Sequence, residues 1–186
     1  MNTPNKLTVL RMILVTFFML FVMMGEGNAT YTAIAHVIFA VASLTDAIDG
    51  HLARKYNLIT DFGKFMDPLA DKMLTTAAFL ALLELGRASA WAVMLILARE
   101  FIVSGLRLVA ASGGKVIAAS IWGKIKTIFQ MVAIIAAIIL LLPMPIIPTE
   151  TAGLITQILV WISTVVTVIS GADYVIKNFD LIKEAK

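Results

Sequence analysis

The sequence contains no cysteine and few charged residues for its length. Without cysteine, the chain has no disulfide framework, no thiolate metal site and no cysteine nucleophile. Only 15% of its 186 residues are charged, whereas soluble domains carry about a quarter. The net charge of +3 is too small to indicate a nucleic-acid partner. These absences argue against a soluble, disulfide-bonded or nucleic-acid-binding protein.

Hydrophobic residues make up 60% of the chain, and they are concentrated in long runs. A helix needs about 20 apolar residues to cross a bilayer, and open sheet edges do not occur in lipid. We therefore predict an all-α integral membrane protein with six transmembrane helices, forming a single domain over residues 1–186. The six predicted spans are Leu7–Met24, Tyr31–Ile48, Pro68–Leu85, Ala90–Ala110, Ile121–Leu142 and Leu154–Ile176.

The distribution of positive charge predicts the orientation of these spans. With six spans, both termini and the second and fourth connections lie on one side, and of the fifteen Lys and Arg residues only Arg87 falls on the other. Loops rich in Lys and Arg stay in the cytoplasm. We therefore expect a multi-pass protein of the cell membrane with both termini cytoplasmic. Arg11, one turn into the first span, is interpreted as an interfacial charge.

Four aspartates lie at the cytoplasmic ends of two predicted helices. Asp46 and Asp49 are three residues apart, and Asp67 and Asp71 are four apart, so each pair shares one face of its helix. Carboxylates gathered in this way repel one another unless cations lie between them. Oxygen ligands suit hard divalent ions such as Mg²⁺ or Mn²⁺. The alternative is that each acid is an interfacial charge paired with Lys or Arg.

Small residues and a proline accompany the acids. Gly50 and Gly63 allow a close backbone approach or a sharp turn beside each acidic pair. Pro68 suits the first turn of the third helix, where its missing N–H is tolerated. These features favour a compact site at the membrane surface.

The acids and their neighbours form the string D-x2-D-G-x2-A-R-x8-G-x3-D-x3-D from Asp46 to Asp71. This string resembles the complete signature of the CDP-alcohol phosphotransferase family. Four further segments, "TPNKLTVLR", "DPLADKMLTTAAF", "AREFIVSGLRLVAASGG" and "GKIKTIFQ", resemble the bacterial phosphatidylglycerophosphate synthase branch of that family.

The resemblance implies a fold, a reaction and a cofactor. It implies six transmembrane helices around a polar cavity open to the cytoplasm, usually in a homodimer. It implies transfer of a phosphatidyl group from CDP-diacylglycerol to an alcohol, with release of CMP and with two divalent ions, Mg²⁺ or Mn²⁺. Asp46, Asp49 and Asp67 would be metal ligands. Asp71 would help to hold the second ion and would act as the base that deprotonates the acceptor hydroxyl.

The resemblance also implies which residues bind CDP-diacylglycerol. Glycine and alanine would let the donor approach the helix backbones, an arginine would contact the nucleotide, and two N-terminal residues match the family pattern. The residues are Asn5, Thr8, Asp49, Gly50, Ala53, Arg54 and Gly63. For the two N-terminal residues, the alternative is that they only begin the first helix.

Basic residues of the fourth and fifth helices predict the acceptor site. Arg99 and Arg107 are embedded in an apolar run, and Lys124 begins the next one. Basic side chains in such helices face a cavity, and guanidinium groups suit phosphate. We therefore expect these three residues to bind a phosphorylated alcohol such as sn-glycerol 3-phosphate. Lys126 is two residues off that face, and Glu100 is interpreted as a structural partner of a neighbouring cation; the alternative for the cations is snorkelling at the membrane border.

The leading hypothesis is therefore phosphatidyl transfer from CDP-diacylglycerol to sn-glycerol 3-phosphate, which gives phosphatidylglycerophosphate and CMP. The same chemistry with phosphatidylglycerol (a cardiolipin synthase), inositol phosphate or serine as acceptor is the nearest alternative. A divalent-cation transporter would also need intramembrane acids, but in matching halves of the chain near the bilayer midplane. A non-catalytic lipid-binding protein would give no reason for four carboxylates at metal-ligand spacing.

Overall fold

The computed structural model of this chain describes residues 2–25, 28–55, 60–112, 117–118, 120–140 and 147–179. For residues 3–4, 46–47, 49–55, 61, 64–65 and 112 it describes the backbone alone. The described part consists of helices with short connections. The helices are α1 (Thr3–Met24), α2 (Ala29–Lys55), α3 (Asp61–Glu84), α4 (Ala90–Ser112), α5 (Ile121–Leu140) and α6 (Thr149–Lys177).

The all-helical prediction is confirmed, and several helices extend beyond the apolar runs. Helix α1 begins at Thr3, where the Asn2 side chain caps it by accepting a hydrogen bond from the backbone N–H of Asn5 at 3.1 Å. Helix α2 continues to Lys55, well beyond the predicted end at Ile48. The apolar runs therefore predict the centres of these helices but not their ends.

The predicted position of Pro68 is wrong. Helix α3 begins at Asp61, so Pro68 lies inside it and not in its first turn. Proline has no N–H to donate to the carbonyl four residues earlier, and it normally weakens a helix interior. The helix nevertheless runs through this position to Glu84. As a result, Asp67 lies nearly two turns inside α3.

Three described helices are long and apolar enough to cross a membrane. They are α1 from Asn5 to Met24, α5 and α6. Among the described side chains, the apolar part of α2 is Ala29–Thr45, which is shorter. Helices α3 and α4 contain charged residues within their lengths, and these are among the residues that the functional hypothesis uses. A membrane-embedded helical protein is therefore supported, and the six-span topology stays a prediction.

The chain divides into two compact units. Unit 1 contains α1, α2 and α3 as far as Ala81, and unit 2 contains the end of α3 with α4, α5 and α6. In unit 1, α1 packs along α2, and the rings of Phe18 and Phe39 lie 5.4 Å apart. The expectation of a single domain over residues 1–186 stays a prediction.

In unit 2, α6 packs against α4 and α5 through small and hydroxyl-bearing residues. Ala133 and Ala137 are buried on α5, and Thr156, Ser163 and Thr164 are buried on α6. The three α6 hydroxyls donate to backbone carbonyls three or four residues earlier in their own helix, so they need no water. Small residues let helix backbones approach closely in a membrane, and this packing surrounds the polar side chains described next.

Candidate active site

The buried face of α1 begins with polar residues. Asn5, Thr8 and Arg11 follow one another at spacings of three, and all are buried; Arg11 and Thr8 have 0% exposure. Residues at this spacing lie on one side of a helix, and the same side continues with Val15 and Phe18. Arg11 is therefore buried within the protein, which was not predicted, and the expectation that the first turns of α1 lie in the membrane interface stays a prediction. The signal that sequence reasoning missed was the three-residue spacing of Arg11 from Thr8.

This polar face holds the first aspartate of α3. The Thr8 hydroxyl donates to Asp67 Oδ1 at 2.5 Å. The Thr60 hydroxyl donates to Asn5 Oδ1 at 3.0 Å and accepts from the backbone N–H of Gly63 at 3.0 Å. The second pair of bonds fixes the start of α3 against α1. The first bond occupies one oxygen of the Asp67 carboxylate, which is half-buried.

Gly63 lies where these oxygen atoms converge. A Cβ atom at this position would lie 3.1 Å from Asn5 Oδ1, 3.3 Å from Thr60 Oγ1 and 3.5 Å from Asp67 Oδ2. A side chain at Gly63 would therefore crowd these oxygen atoms, and the predicted approach of the donor to this glycine stays a prediction. Three oxygen atoms around a residue that lacks a side chain form a small cradle, and oxygen-only donors are the type that Mg²⁺ and Mn²⁺ prefer.

Asp71 lies one turn beyond Asp67 on α3, and it is exposed. Residues four apart share a helix face, so the two carboxyl-bearing positions are neighbours along α3, as the spacing predicts. The adjacent positions Ala70 and Leu74 are buried. The helix therefore packs through those residues and leaves Asp71 accessible.

The other predicted donor residues belong to α2. Asp46, Asp49, Gly50, Ala53 and Arg54 all lie within this helix, but their side chains are outside the described residues. Among the side chains that are described, no three His, Cys, Asp or Glu residues come together as a metal site. The four-aspartate metal site therefore stays a prediction. The oxygen atoms around Gly63 are of the ligand type that such a site needs.

In unit 2, Arg99 is buried within a polar cluster. The residue is 8% exposed. Its Nη2 donates to Ser170 Oγ at 2.8 Å, and its Nη1 donates to Glu100 Oε1 at 3.2 Å. The stem of Arg99 crosses α6 at Gly171, where a Cβ would lie 2.9 Å from Arg99 Cγ. Arg99 Nε has no hydrogen-bond partner among the described residues.

Lys126, and not Lys124, is the lysine that joins this cluster. Lys126 is 8% exposed, and its Nζ donates to Glu100 Oε1 and to Gln130 Oε1, the latter at 3.0 Å. Gln130 in turn donates to Thr167 Oγ1 at 3.1 Å. Lys124 is exposed. Lys126 and Gln130 are four residues apart and lie on the buried face of α5, which packs against α6. This spacing was the sequence signal that could have identified Lys126.

Arg107 has a separate partner further along α4. It is exposed, and its Nε donates to Tyr174 Oη at 3.1 Å. Its guanidinium carbon lies 5.6 Å from the centre of the Tyr174 ring, which is within cation–π range. Tyr174 is 2% exposed. A buried ring and hydroxyl therefore orient an accessible guanidinium.

Comparison with known proteins places the chain among enzymes of lipid synthesis. The family model "CDP-alcohol phosphatidyltransferase" matches residues 1–169. A Bacillus subtilis (strain 168) protein named "CDP-diacylglycerol--glycerol-3-phosphate 3-phosphatidyltransferase" is 41% identical over 192 residues, which covers 98% of this chain and 97% of that protein. A Rickettsia typhi protein of the same name is 37% identical over 173 residues, 93% of this chain and 94% of its own length. The resemblance in the sequence is confirmed by these matches.

Proposed function

This chain belongs to the CDP-alcohol phosphatidyltransferase family, and we propose that it transfers the phosphatidyl group of CDP-diacylglycerol to sn-glycerol 3-phosphate. The products are phosphatidylglycerophosphate and CMP. The observation that carries the proposal is the similarity of the whole chain to relatives that are named for this reaction. The two polar clusters supply the residue types that the reaction needs: acids for the donor and cations for the acceptor.

Unit 1 supplies the donor-binding residues of the proposal. Asp46, Asp49, Asp67 and Asp71 would hold two divalent ions, Mg²⁺ or Mn²⁺. When bound, such ions neutralise the diphosphate oxygens of the donor and the charge on the leaving CMP. Thr8 supports this role because its hydroxyl fixes Oδ1 of Asp67 and so sets the direction of Oδ2.

Further donor contacts come from small and polar residues. Gly63 supports the proposal because its missing side chain leaves room beside Asp67. Asn5 and Thr8 contribute the polar start of α1. Gly50, Ala53 and Arg54 retain the roles that the family resemblance implies: close approach of the donor for the first two and contact with the nucleotide for the third.

Asp71 is the proposed general base. Its exposed carboxylate would accept the proton of the acceptor hydroxyl, and general bases of this kind contribute about 10²- to 10⁴-fold to a rate. The hydroxyl oxygen then forms a bond to the phosphorus of the phosphatidyl group, and the bond from that phosphorus to the CMP oxygen breaks. CMP leaves with the electron pair of that bond.

Unit 2 supplies the acceptor-binding residues. Arg99 and Arg107 would bind the phosphate of sn-glycerol 3-phosphate, with Lys124 at the exposed start of α5. The support is that Arg99 is buried yet retains an Nε donor without a described partner, and that Arg107 is accessible and oriented by Tyr174. A phosphate with a charge near −2 matches several cations better than the single carboxylate of zwitterionic serine.

The proposal includes the membrane arrangement that the sequence predicts. It has six transmembrane spans, both termini and the active site on the cytoplasmic side, and a homodimer as the assembly. Three apolar helices of membrane-spanning length and the one-sided distribution of Lys and Arg support it. CDP-diacylglycerol would then keep its acyl chains in the bilayer while its nucleotide reaches the acids.

The test is CMP release by the purified protein with CDP-diacylglycerol and either Mg²⁺ or Mn²⁺. Glycerol 3-phosphate, inositol phosphate, serine and phosphatidylglycerol are compared as acceptors, with a chelator as the control. We expect release with glycerol 3-phosphate alone and its loss on chelation. Release with another acceptor would move the chain to a different branch of the same chemistry, and no release with any acceptor would contradict the proposal.

A further inference from the structure

Glu100 connects the two buried cations of unit 2 through one carboxylate oxygen. Its Oε1 accepts a hydrogen bond from Arg99 Nη1 at 3.2 Å and another from Lys126 Nζ. We call Arg99, Glu100 and Lys126 the Glu100 cluster. Two cations that share an acceptor atom lie close together, and their repulsion is strong where the effective dielectric constant is low. The Glu100 carboxylate therefore offsets the repulsion between Arg99 and Lys126 and allows them to lie close together.

The cluster is fixed at both ends by neutral partners. Gln130 accepts from Lys126 Nζ and donates to Thr167, while Ser170 accepts from Arg99 Nη2. Each of these partners is buried. The two cations are thus held from α5 and α6 as well as from α4, so their positions are set before any ligand arrives. Preorganised donors bind an anion without the cost of being ordered.

The charge of the region is positive. Arg99 and Lys126 carry two positive charges against the single negative charge of Glu100, and Arg107 on the same helix adds another. Excess charge in an apolar region is unfavourable unless a counter-ion accompanies it. A phosphate monoester carries about −1.5 to −2 at pH 7, which balances this excess.

We propose that Glu100 is a positioning residue for the phosphate monoester of the acceptor, acting through Arg99 and Lys126. The inference rests on the proposed function and deepens it. It changes the role of Glu100 from a structural counter-charge to a residue that positions Arg99 and Lys126 for the acceptor phosphate.

The proposal predicts whether neutralising Glu100 weakens or tightens acceptor binding. If Glu100 were only a negative charge near an anion site, its neutralisation would tighten acceptor binding. If it positions the two cations, its neutralisation lets them separate and weakens acceptor binding. Glu100→Gln keeps the size of the side chain and removes its charge. Glu84→Gln makes the same charge change at the exposed end of α3, so it is the matched control.

The experiment measures CMP release against each substrate in turn for the wild type and both variants. We expect Glu100→Gln to raise the KM for glycerol 3-phosphate by about tenfold, the loss typical of one charge-assisted hydrogen bond, with the KM for CDP-diacylglycerol unchanged. Glu84→Gln should change neither constant. A lower or unchanged acceptor KM in Glu100→Gln overturns the proposal, as does an equal loss for both substrates.

A binding measurement gives a second readout without turnover. Glycerol 3-phosphate and inorganic phosphate should each raise the Tm of the detergent-solubilised wild type, and Glu100→Gln should need about ten times more of either for the same shift. A purely structural role would lower the Tm of the variant without changing the concentration dependence of the shift. That result would overturn the proposal.

Gln130→Met keeps the test decisive if Glu100→Gln does not fold. This change removes one anchor of Lys126 and leaves Glu100 in place, so we expect a smaller rise of about threefold in the acceptor KM. An unchanged value in this variant overturns the inference. Wild-type protein that releases no CMP with glycerol 3-phosphate overturns the proposed function and the inference together, whereas an active wild type with insensitive variants overturns the inference alone.

Discussion

Unit 1 holds the carboxylate of Asp67 with a neutral hydrogen bond from Thr8, whereas unit 2 holds the cations Arg99 and Lys126 with the carboxylate of Glu100. Asp67 is half-buried and uses one oxygen on Thr8. Arg99 and Lys126 are almost fully buried and share Glu100. The first arrangement leaves a carboxylate oxygen for a ligand, and the second fixes the spacing of two positive charges. The difference is consistent with the roles that we propose: carboxylates that would hold metal ions in unit 1, and cations that would bind a phosphate in unit 2.

The strongest test of the unit 1 assignment is the removal of its base. Asp71→Asn should lower kcat by about 10³-fold, because general-base catalysis is lost, while CDP-diacylglycerol binding is largely retained. CMP release and donor binding to the purified variant measure the two effects separately. A variant with wild-type kcat would show that Asp71 is not the base.

The corresponding test of unit 2 is the removal of its accessible guanidinium. Arg107→Ala should raise the KM for glycerol 3-phosphate by roughly 10- to 100-fold, the value of one or two charge-assisted hydrogen bonds, with the donor KM unchanged. Tyr174→Phe removes only the hydroxyl that orients Arg107 and should have a smaller effect in the same direction. Equal losses for donor and acceptor in Arg107→Ala would contradict the separation of roles between the units.

Substitutions at Thr8 test whether its hydrogen bond to Asp67 affects metal binding. Thr8→Val keeps the shape of the side chain and removes the donor to Asp67 Oδ1, and the loss of such a ligand-orienting partner costs about tenfold or more in metal affinity or activity. We expect the Mn²⁺ concentration for half-maximal CMP release to rise about tenfold, and Thr8→Ser to restore it. Direct Mn²⁺ binding without substrate provides the second measurement. If Thr8→Val binds and uses Mn²⁺ as the wild type does, Thr8 does not position Asp67.

Alanine substitutions at one glycine in each unit should give the smallest effects that still distinguish the two units. A Cβ at Gly63 would press on Asn5 Oδ1, and a Cβ at Gly171 would press on Arg99 Cγ. Gly63→Ala should therefore change the donor KM, and Gly171→Ala the acceptor KM, each by about threefold, because such overpacking displaces a neighbour by a few tenths of an ångström.

Gly105→Ala is the control for this pair, since a Cβ there meets no described atom within 4 Å. It should leave both constants unchanged. The same substrate dependence in Gly63→Ala and Gly171→Ala would remove the distinction between the two units.

Much of the helical organisation could be predicted from the sequence. Long apolar runs predict helices, and their centres agree with the structure because a backbone that enters lipid must satisfy its own hydrogen bonds, which a helix does. The ends were harder to place. The preference of proline for a first turn predicts that α3 begins at Pro68, but the helix starts at Asp61, and local preference alone does not reveal this start.

Some features of the candidate sites could likewise be predicted from the sequence, and others could not. The spacing of Asp67 and Asp71 and the small residue at Gly63 were visible in the chain, since they depend on a single helix. That Lys126 contacts Glu100 and Gln130 was not visible in the sequence, because it depends on which face of α5 packs against α6. The burial of Arg11 was missed for the same reason on α1.

The sequence by itself determined the helical class, the spacing of the acids and the resemblance to a phosphatidyltransferase family, because each depends on residues close together in the chain. Only the tertiary structure decided that Thr8 holds Asp67 and that Glu100 joins Arg99 to Lys126. Thr8 and Asp67 are 59 residues apart, and Glu100 and Lys126 are 26 apart. Contacts over such separations depend on how helices rotate and pack against one another, and local periodicity does not contain that information.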